Sequence, residues 1–200
     1  MGLPGFIEES WAQADFPTLR VILTPSFHPE VCITLSRRLE GTSLSVIALI
    51  ERVWVRGFGV YLPREEENVH LASSVFDEAS DLFNAAHAAF DPKRLFICVD
   101  GMGSESCLVS GANTRRMRAH VWAQASIGQL VARLIEVSWN GCRRPVVRNA
   151  LAHAALYLDG DYPLQEVPPK PETTHLAILG SEEERDEFLQ MVRKAKKRKT

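Results

Sequence analysis

The chain has 200 residues, of which 46% are hydrophobic and 24% are charged, as is usual for a globular protein with one sizeable core. Its formal net charge is −2. The basic tail from Arg193 to Lys199 has six basic residues and no acid, so the remaining residues carry a net charge of −8. This acidic body argues against general nucleic-acid binding, which depends on basic surface, and leaves the tail as the segment suited to it.

The sequence shows no sign of a membrane segment. No apolar run reaches the roughly 20 residues needed to span a bilayer. The opening residues, "MGLPGFIEESWAQADF", have no basic cluster before an apolar stretch, as a secretory signal would. We therefore expect a cytoplasmic protein. The four cysteines, at positions 32, 98, 107 and 142, include no C-x-x-C pair, and we expect them to be buried hydrophobic side chains and not disulfide partners.

The first part of the chain favours β-strands. Runs rich in β-branched residues occupy 19–24, 31–38 and 43–55, and turn residues separate them. Short connections of this kind predict antiparallel neighbours. The following stretch, "RGFGVYLPREEEN", is predicted to leave the sheet, because Pro63 and three consecutive glutamates indicate solvent.

A change to helical periodicity follows at residues 73–90. Ser73 is the predicted N-cap. The predicted apolar face, at steps of three and four residues, consists of Val75, Ala79, Leu82, Phe83, Ala86 and Phe90.

The run "LFICVDGMGSESCLVSG", residues 95–111, raises the question of a phosphate loop or a nucleophile turn. It lacks the third glycine of G-x-G-x-x-G, the lysine of a Walker loop and the pattern G-x-S-x-G. Residues 114–122 then alternate with period two, which is typical of a strand. The glycines are therefore predicted to form hairpin turns in a meander of strands 95–99, 105–109 and 115–122.

Two helices are predicted next. Ser126 and Gln129 match a capping box, and Pro145 suits the first turn of the second helix, which runs to about residue 158. The two form a helical hairpin. Residues 161–174 are a proline-rich linker, and 175–200 are predicted to form a strand and a charged helix that pack on the same domain.

The sequence thus predicts one α+β domain over residues 1–160. Its core is a mostly antiparallel sheet of about six strands, crossed by the helix at 73–90 and covered by the helical hairpin. The linker, the last strand and the C-terminal charged helix complete the chain.

The polar face of strand 115–122 is the predicted binding site. Arg116, Arg118 and His120 alternate along it, with Trp122 at its end, and Glu105 on the neighbouring strand can meet an arginine across the sheet. A solvated outer face with cross-strand ion pairs is the alternative interpretation of the same pattern.

A catalytic alternative uses the same region. A cleft near Asp100, Arg118 and His120 would suit a small ligand, with His120 as a general base oriented by Asp100 or Glu105. No pair of histidines has metal-ligand spacing, and no cofactor motif is present, so we expect neither metal nor cofactor.

The run "VDGMGSESCLVSGANTRRMRAHVW", followed by paired helices, resembles uncharacterised bacterial proteins associated with toxin neutralisation. The resemblance covers residues 94–158. It implies an immunity-type protein that masks the active site of a toxin. We accordingly expect a non-catalytic cytosolic protein with a protein partner; homodimerisation through an edge strand or the last helix is a further possibility.

Overall fold

The computed structural model describes residues 16–50, 63–91, 101–121 and 125–158. These residues form six strands and three helices. In chain order they are β1 (Thr18–Pro25), β2 (Val31–Arg38), β3 (Gly41–Leu49), β4 (Arg64–Leu71), α1 (Ser73–Ala89), β5 (Met102–Ser110), β6 (Asn113–His120), α2 (Ser126–Gly141) and α3 (Pro145–Ala155).

The six strands form one antiparallel sheet in the order β4-β3-β2-β1-β5-β6. The chain builds it as a meander from β1 to β4 and a hairpin of β5 and β6. The two parts join where β5 pairs with β1, with Thr18 opposite Val109 and Pro25 opposite Met102. The predicted α+β class and the antiparallel sheet of about six strands are confirmed.

The predicted neighbour of β5 was wrong. The sequence suggested that residues 95–99 pair with 105–109 across a turn at Asp100 and Gly101. In the structure β5 has β1 on one side and β6 on the other, so both of its edges are occupied. Residues 95–99 and Asp100 themselves lie outside the described residues. The pairing with β1 is formed between segments far apart in sequence, and local turn signals carry no information about it.

Strand β4 was not predicted. The stretch after Pro63 was expected to leave the sheet, but Arg64–Leu71 pairs with β3 along its whole length, from Leu71 opposite Thr42 to Arg64 opposite Leu49. Among the strands that the structure describes, it is the outermost on its side of the sheet. Charged side chains are characteristic of such edge strands, because they discourage pairing with other chains. In this sequence the three glutamates of β4 therefore resembled the charges of a solvated loop.

The second predicted hairpin is present. Ser110 pairs with Asn113, and Gly111 lies in the two-residue turn between them with a φ of 59°. This left-handed conformation suits glycine in a tight hairpin turn. The predicted alternation along β6 also holds, since Met117 and Val121 are buried while Arg116 and Arg118 are exposed.

The helices lie on one face of the sheet. α1 and α3 pack against its strands, whereas α2 packs on α1 and α3. The predicted hairpin of α2 and α3 therefore reaches the sheet mainly through α3. The strand residues that face the helices are buried and apolar: Leu19, Val21, Leu23, Val31, Ile33, Leu35, Leu44, Val46 and Ala48.

The helices begin where the sequence predicts, but α3 ends at Ala155 and not near residue 158, and the predicted caps were wrong. Ser73 and Ser126 are the first helical residues; Ala72 and Ala125 stand at the N-cap positions and give no side-chain cap bond. The Ser126–Gln129 capping box is thus not formed, and the Gln129 amide instead donates to the Ala125 carbonyl. Pro145 does begin α3, as predicted.

The opposite face of the sheet, here called the outer face, carries the second set of alternating side chains. Its centre is not open to solvent, since Ile22, Cys32 and Cys107 are buried there. Cys142 is buried as well, and these three cysteines are free thiols, as expected. Cys98, the linker 161–174, the predicted last strand and the charged helix, with its basic tail, lie outside the described residues.

Candidate functional site

The predicted site residues come together at one margin of the outer face. β6 is the outermost of the described strands on this side. Its Arg116, Arg118 and His120 alternate with core residues and so project on the outer face with Glu105 of β5. Trp122 lies outside the described residues. We call the four described residues the β5–β6 site.

Glu105 and Arg118 form the centre of this site. They are directly opposite each other in the sheet register. Nη2 of Arg118 donates to Oε2 of Glu105 at 2.9 Å, with 64% of the arginine side chain and 31% of the glutamate side chain exposed. The predicted cross-strand ion pair is therefore present. Because the pair is largely exposed, it contributes little to stability, of the order of 0.2–1 kcal/mol.

Arg116 is opposite the buried thiol of Cys107. Burial raises the pKa of the Cys107 thiol, although a hydrogen bond with Arg116 and the charges of Arg116 and Arg20 act in the opposite direction. The thiol therefore remains protonated and inert at neutral pH. It provides a small apolar surface beside an exposed guanidinium group.

His120 is opposite Gly103 and is half-buried. Burial lowers the pKa of its imidazole, so the ring is neutral at physiological pH. Glu105, one of the two carboxylates considered as its orienting partner, is bonded to Arg118. The other, Asp100, lies outside the described residues.

A second group of titratable side chains was not found from the sequence. The ring of His28, in the β1–β2 connection, stacks on that of His153 in α3 with centroids 4.1 Å apart. The Tyr157 hydroxyl lies 2.9 Å from Nδ1 of His28 and accepts the Phe27 amide at 3.0 Å. These residues are about 130 positions apart in sequence, and no local pattern relates them.

Other charged residues join elements of the helical layer. Arg133 of α2 bridges Glu78 of α1 and Glu136 of its own helix, each at 2.9 Å. Arg37 of β2 pairs with Asp77 of α1 at 2.8 Å. Two acids of α1, Asp77 and Glu78, thus form ion pairs with neighbouring elements, and these contacts account for both without a ligand.

Within the four described ranges, no three histidine, cysteine, aspartate or glutamate side chains are grouped so that they could hold a metal ion. Among the three described helices, none is long and apolar enough to cross a membrane.

No family model matches this chain, and no curated protein matches it either. The β5–β6 site must therefore be interpreted from its own chemistry.

Proposed function

We propose that this chain is a non-catalytic protein whose β5–β6 site binds another protein. The observation that carries the proposal is the exposure of arginines along an outermost strand. Residues 102–121 contain one acid, Glu105, and three arginines, so the hairpin has a formal charge of +2. All three arginines are exposed, and two of them, Arg116 and Arg118, project on the outer face.

The chemistry of arginine supports a binding role. Its planar guanidinium group forms several directed hydrogen bonds and is less strongly hydrated than an ammonium group. Arginine is accordingly common among residues that dominate the energy of protein interfaces. The described part of the chain contains no lysine, so the positive charge of the hairpin is entirely arginine.

The surroundings of these arginines also suit an interface. Arg116 and Arg118 project from a strand that pairs along its length with β5, where the buried Cys107 lies opposite Arg116. Because the backbone of this strand is fixed by its hydrogen bonds to β5, the exposed arginines offer a partner a preorganised contact, which reduces the entropy lost on binding.

Identification of the partner is the first step of the test. The protein is isolated from native lysate under mild conditions, and co-purifying proteins are identified by mass spectrometry. The affinity of the purified partner is then measured by calorimetry for the wild type and for Arg116→Ala/Arg118→Ala. Loss of two interface arginines is expected to weaken binding at least tenfold, or about 1.4 kcal/mol.

The matched control removes two other exposed arginines, Arg143 and Arg144, which connect α2 to α3. Arg143→Ala/Arg144→Ala changes the net charge by the same amount and keeps the backbone amides that bond Glu67. It should leave the affinity within about twofold of wild type. Equal affinities for the wild type and the Arg116→Ala/Arg118→Ala variant would exclude the β5–β6 site.

Masking a toxin's active site is the specific form of this function that the resemblance of residues 94–158 suggests. In that case the partner is a toxic enzyme. Co-expression of the wild-type chain should protect cells from it, and the double arginine variant should not. A non-toxic partner would leave the binding role in place and remove the immunity role.

A further inference from the structure

We propose that Glu105 is an internal ligand of Arg118, and that a carboxylate from an acidic, extended segment of the partner protein displaces it on binding. This inference rests on the proposed function and specifies the chemistry of the partner. It assigns opposite effects to two neighbouring residues: Arg118 favours the complex, and Glu105 opposes it.

The geometry of the pair supports exchange of one carboxylate for another. The contact joins one nitrogen of Arg118 to one oxygen of Glu105. A guanidinium group has five N–H donors in a planar fork and binds carboxylates most strongly when two of them act together. Arg118 therefore has donors available for a second, better aligned carboxylate.

Exposure sets the direction of approach. The Arg118 side chain is 64% exposed, about twice the 31% of Glu105. A partner approaching from solvent therefore contacts the guanidinium group before the less exposed glutamate. Exposed ion pairs of this kind change an equilibrium constant by at most about fivefold, so displacement of Glu105 has a small energetic cost.

The spacing of the site indicates an extended segment. Arg116 and Arg118 lie two positions apart on the same face of β6, which places their Cα atoms about 6.7 Å apart. Carboxylates at alternate positions of an extended peptide have the same spacing. The positive charge of the hairpin selects for such a segment and against a basic one.

The test uses the full-length protein and a fluorescein-labelled peptide that alternates glutamate with threonine. Binding is followed by fluorescence anisotropy at about 20 mM salt, where screening is weak. We expect Arg118→Ala to weaken binding at least tenfold and Glu105→Gln to strengthen it about threefold to fivefold. In the background of Arg118→Ala, Glu105→Gln should change affinity less than twofold, because its effect acts through Arg118.

Glu66→Gln is the matched control. Glu66 lies on the outer face of β4 at the opposite margin of the same sheet, where it accepts hydrogen bonds from Ser45 and Asn68. The substitution removes one negative charge, as Glu105→Gln does, without releasing an arginine. Affinity of this variant should stay within about 1.5-fold of wild type, because four strand spacings, or about 19 Å, separate β4 from β5, and the interaction of one charge over that distance is small in water. Thermal unfolding of each variant shows that the fold is kept.

The outcomes separate the two proposals. If Arg118→Ala leaves peptide binding unchanged, the β5–β6 site does not recognise acidic extended segments and this inference fails, whereas the proposed function is decided separately by the affinity of the purified partner for Arg116→Ala/Arg118→Ala. If binding depends on Arg118 but Glu105→Gln and Glu66→Gln strengthen it equally, the effect is one of net charge and only the internal-ligand role of Glu105 is wrong. Tighter, Arg118-dependent binding of an RNA oligonucleotide than of the peptide would overturn the choice of an acidic protein.

Discussion

Gly41, the first residue of β3, has a φ of 144°. Side chains other than that of glycine are strained in this region. A Cβ atom added there would also lie 2.6 Å from the carbonyl oxygen of Leu71 in β4. Gly41 therefore permits both the turn from β2 and the close approach of β4.

We expect Gly41→Ala to lower the free energy of unfolding by about 2–3 kcal/mol, because it adds a backbone contact to conformational strain. Gly111→Ala is the comparison: Gly111 also has a positive φ, but nothing lies within 4 Å of the added atom. That variant should lose only about 1 kcal/mol. Urea unfolding measures both, and equal losses would show that contact with Leu71 is unimportant.

Single residues also show why part of the site could be predicted. The alternation of Arg116, Met117 and Arg118 is a local pattern that fixes which side chains share a face. The pairing of Glu105 with Arg118 follows once the turn at Gly111 is recognised, since the turn sets the register. The stack of His28 on His153 depends on long-range packing, so nothing near either residue reveals it.

At the scale of elements, the Glu67 carboxylate fixes edge strand β4 to the connection between α2 and α3. Its two oxygens accept the amides of Arg143 at 2.8 Å and Arg144 at 2.9 Å. Burial acts to raise the pKa of Glu67, but these hydrogen bonds and the charge of Arg144 outweigh it, so the pKa is lowered. The ionised carboxylate acts as a cap for backbone groups that precede α3.

A depressed folded-state pKa makes this contribution dependent on pH. The unfolded chain binds the proton more readily, so the stabilisation is present above the unfolded value of about 4.3 and is lost as the pH falls through the folded value. We expect Glu67→Gln to lower the free energy of unfolding at pH 7 by about 1 kcal/mol, since the group is only partly buried. Denaturant titrations at pH 7 and pH 3 measure the difference.

Glu65→Gln, one pleat away on the same strand, controls for the loss of charge. The difference between Glu67→Gln and the wild type should shrink as the pH falls from 7 to 3, because the wild-type carboxylate is increasingly protonated as the pH falls through its folded-state pKa. A difference that persists unchanged from pH 7 to pH 3 would show that the charge of Glu67 is not what stabilises the connection.

Elements were predictable where their signal was local. The strands β1 and β2 and the three helices follow from apolar periodicity, and Pro145 marks the start of α3. β4 was missed because an outermost strand carries charges, so its glutamates resemble a loop. The caps were wrong because a serine can simply occupy the first helical position, as Ser73 and Ser126 do.

At the scale of the whole molecule, three buried thiols make it possible to test whether the sheet and the helices unfold together. Cys32 lies in β2, Cys107 in β5 and Cys142 at the end of α2. Burial raises the pKa of Cys32 to about 11 and that of Cys142 to about 12, the latter also through Glu67. At pH 8 these thiols are therefore protonated as well as inaccessible.

We expect the three thiols to react with a disulfide reagent only when the protein unfolds. If sheet and helices unfold together, Cys32, Cys107 and Cys142 will be labelled at one common rate, which equals the global unfolding rate under rapid labelling. Mass spectrometry of digested samples measures each site separately. Much faster labelling of Cys142 than of the other two would show that the helical layer opens by itself.

The position of β1 between β2 and β5 has a consequence for synthesis on the ribosome. Its first neighbour follows at once, but its second, β5, comes more than 75 residues later, as Pro25 pairs with Met102. At a synthesis rate of roughly 5–20 residues per second, one edge of β1 stays unpaired for about 4–15 seconds before β5 has been made. During that interval a nascent chain exposes the hydrogen-bonding edge of an otherwise central strand, and such an unpaired edge is open to aggregation or to binding by a chaperone.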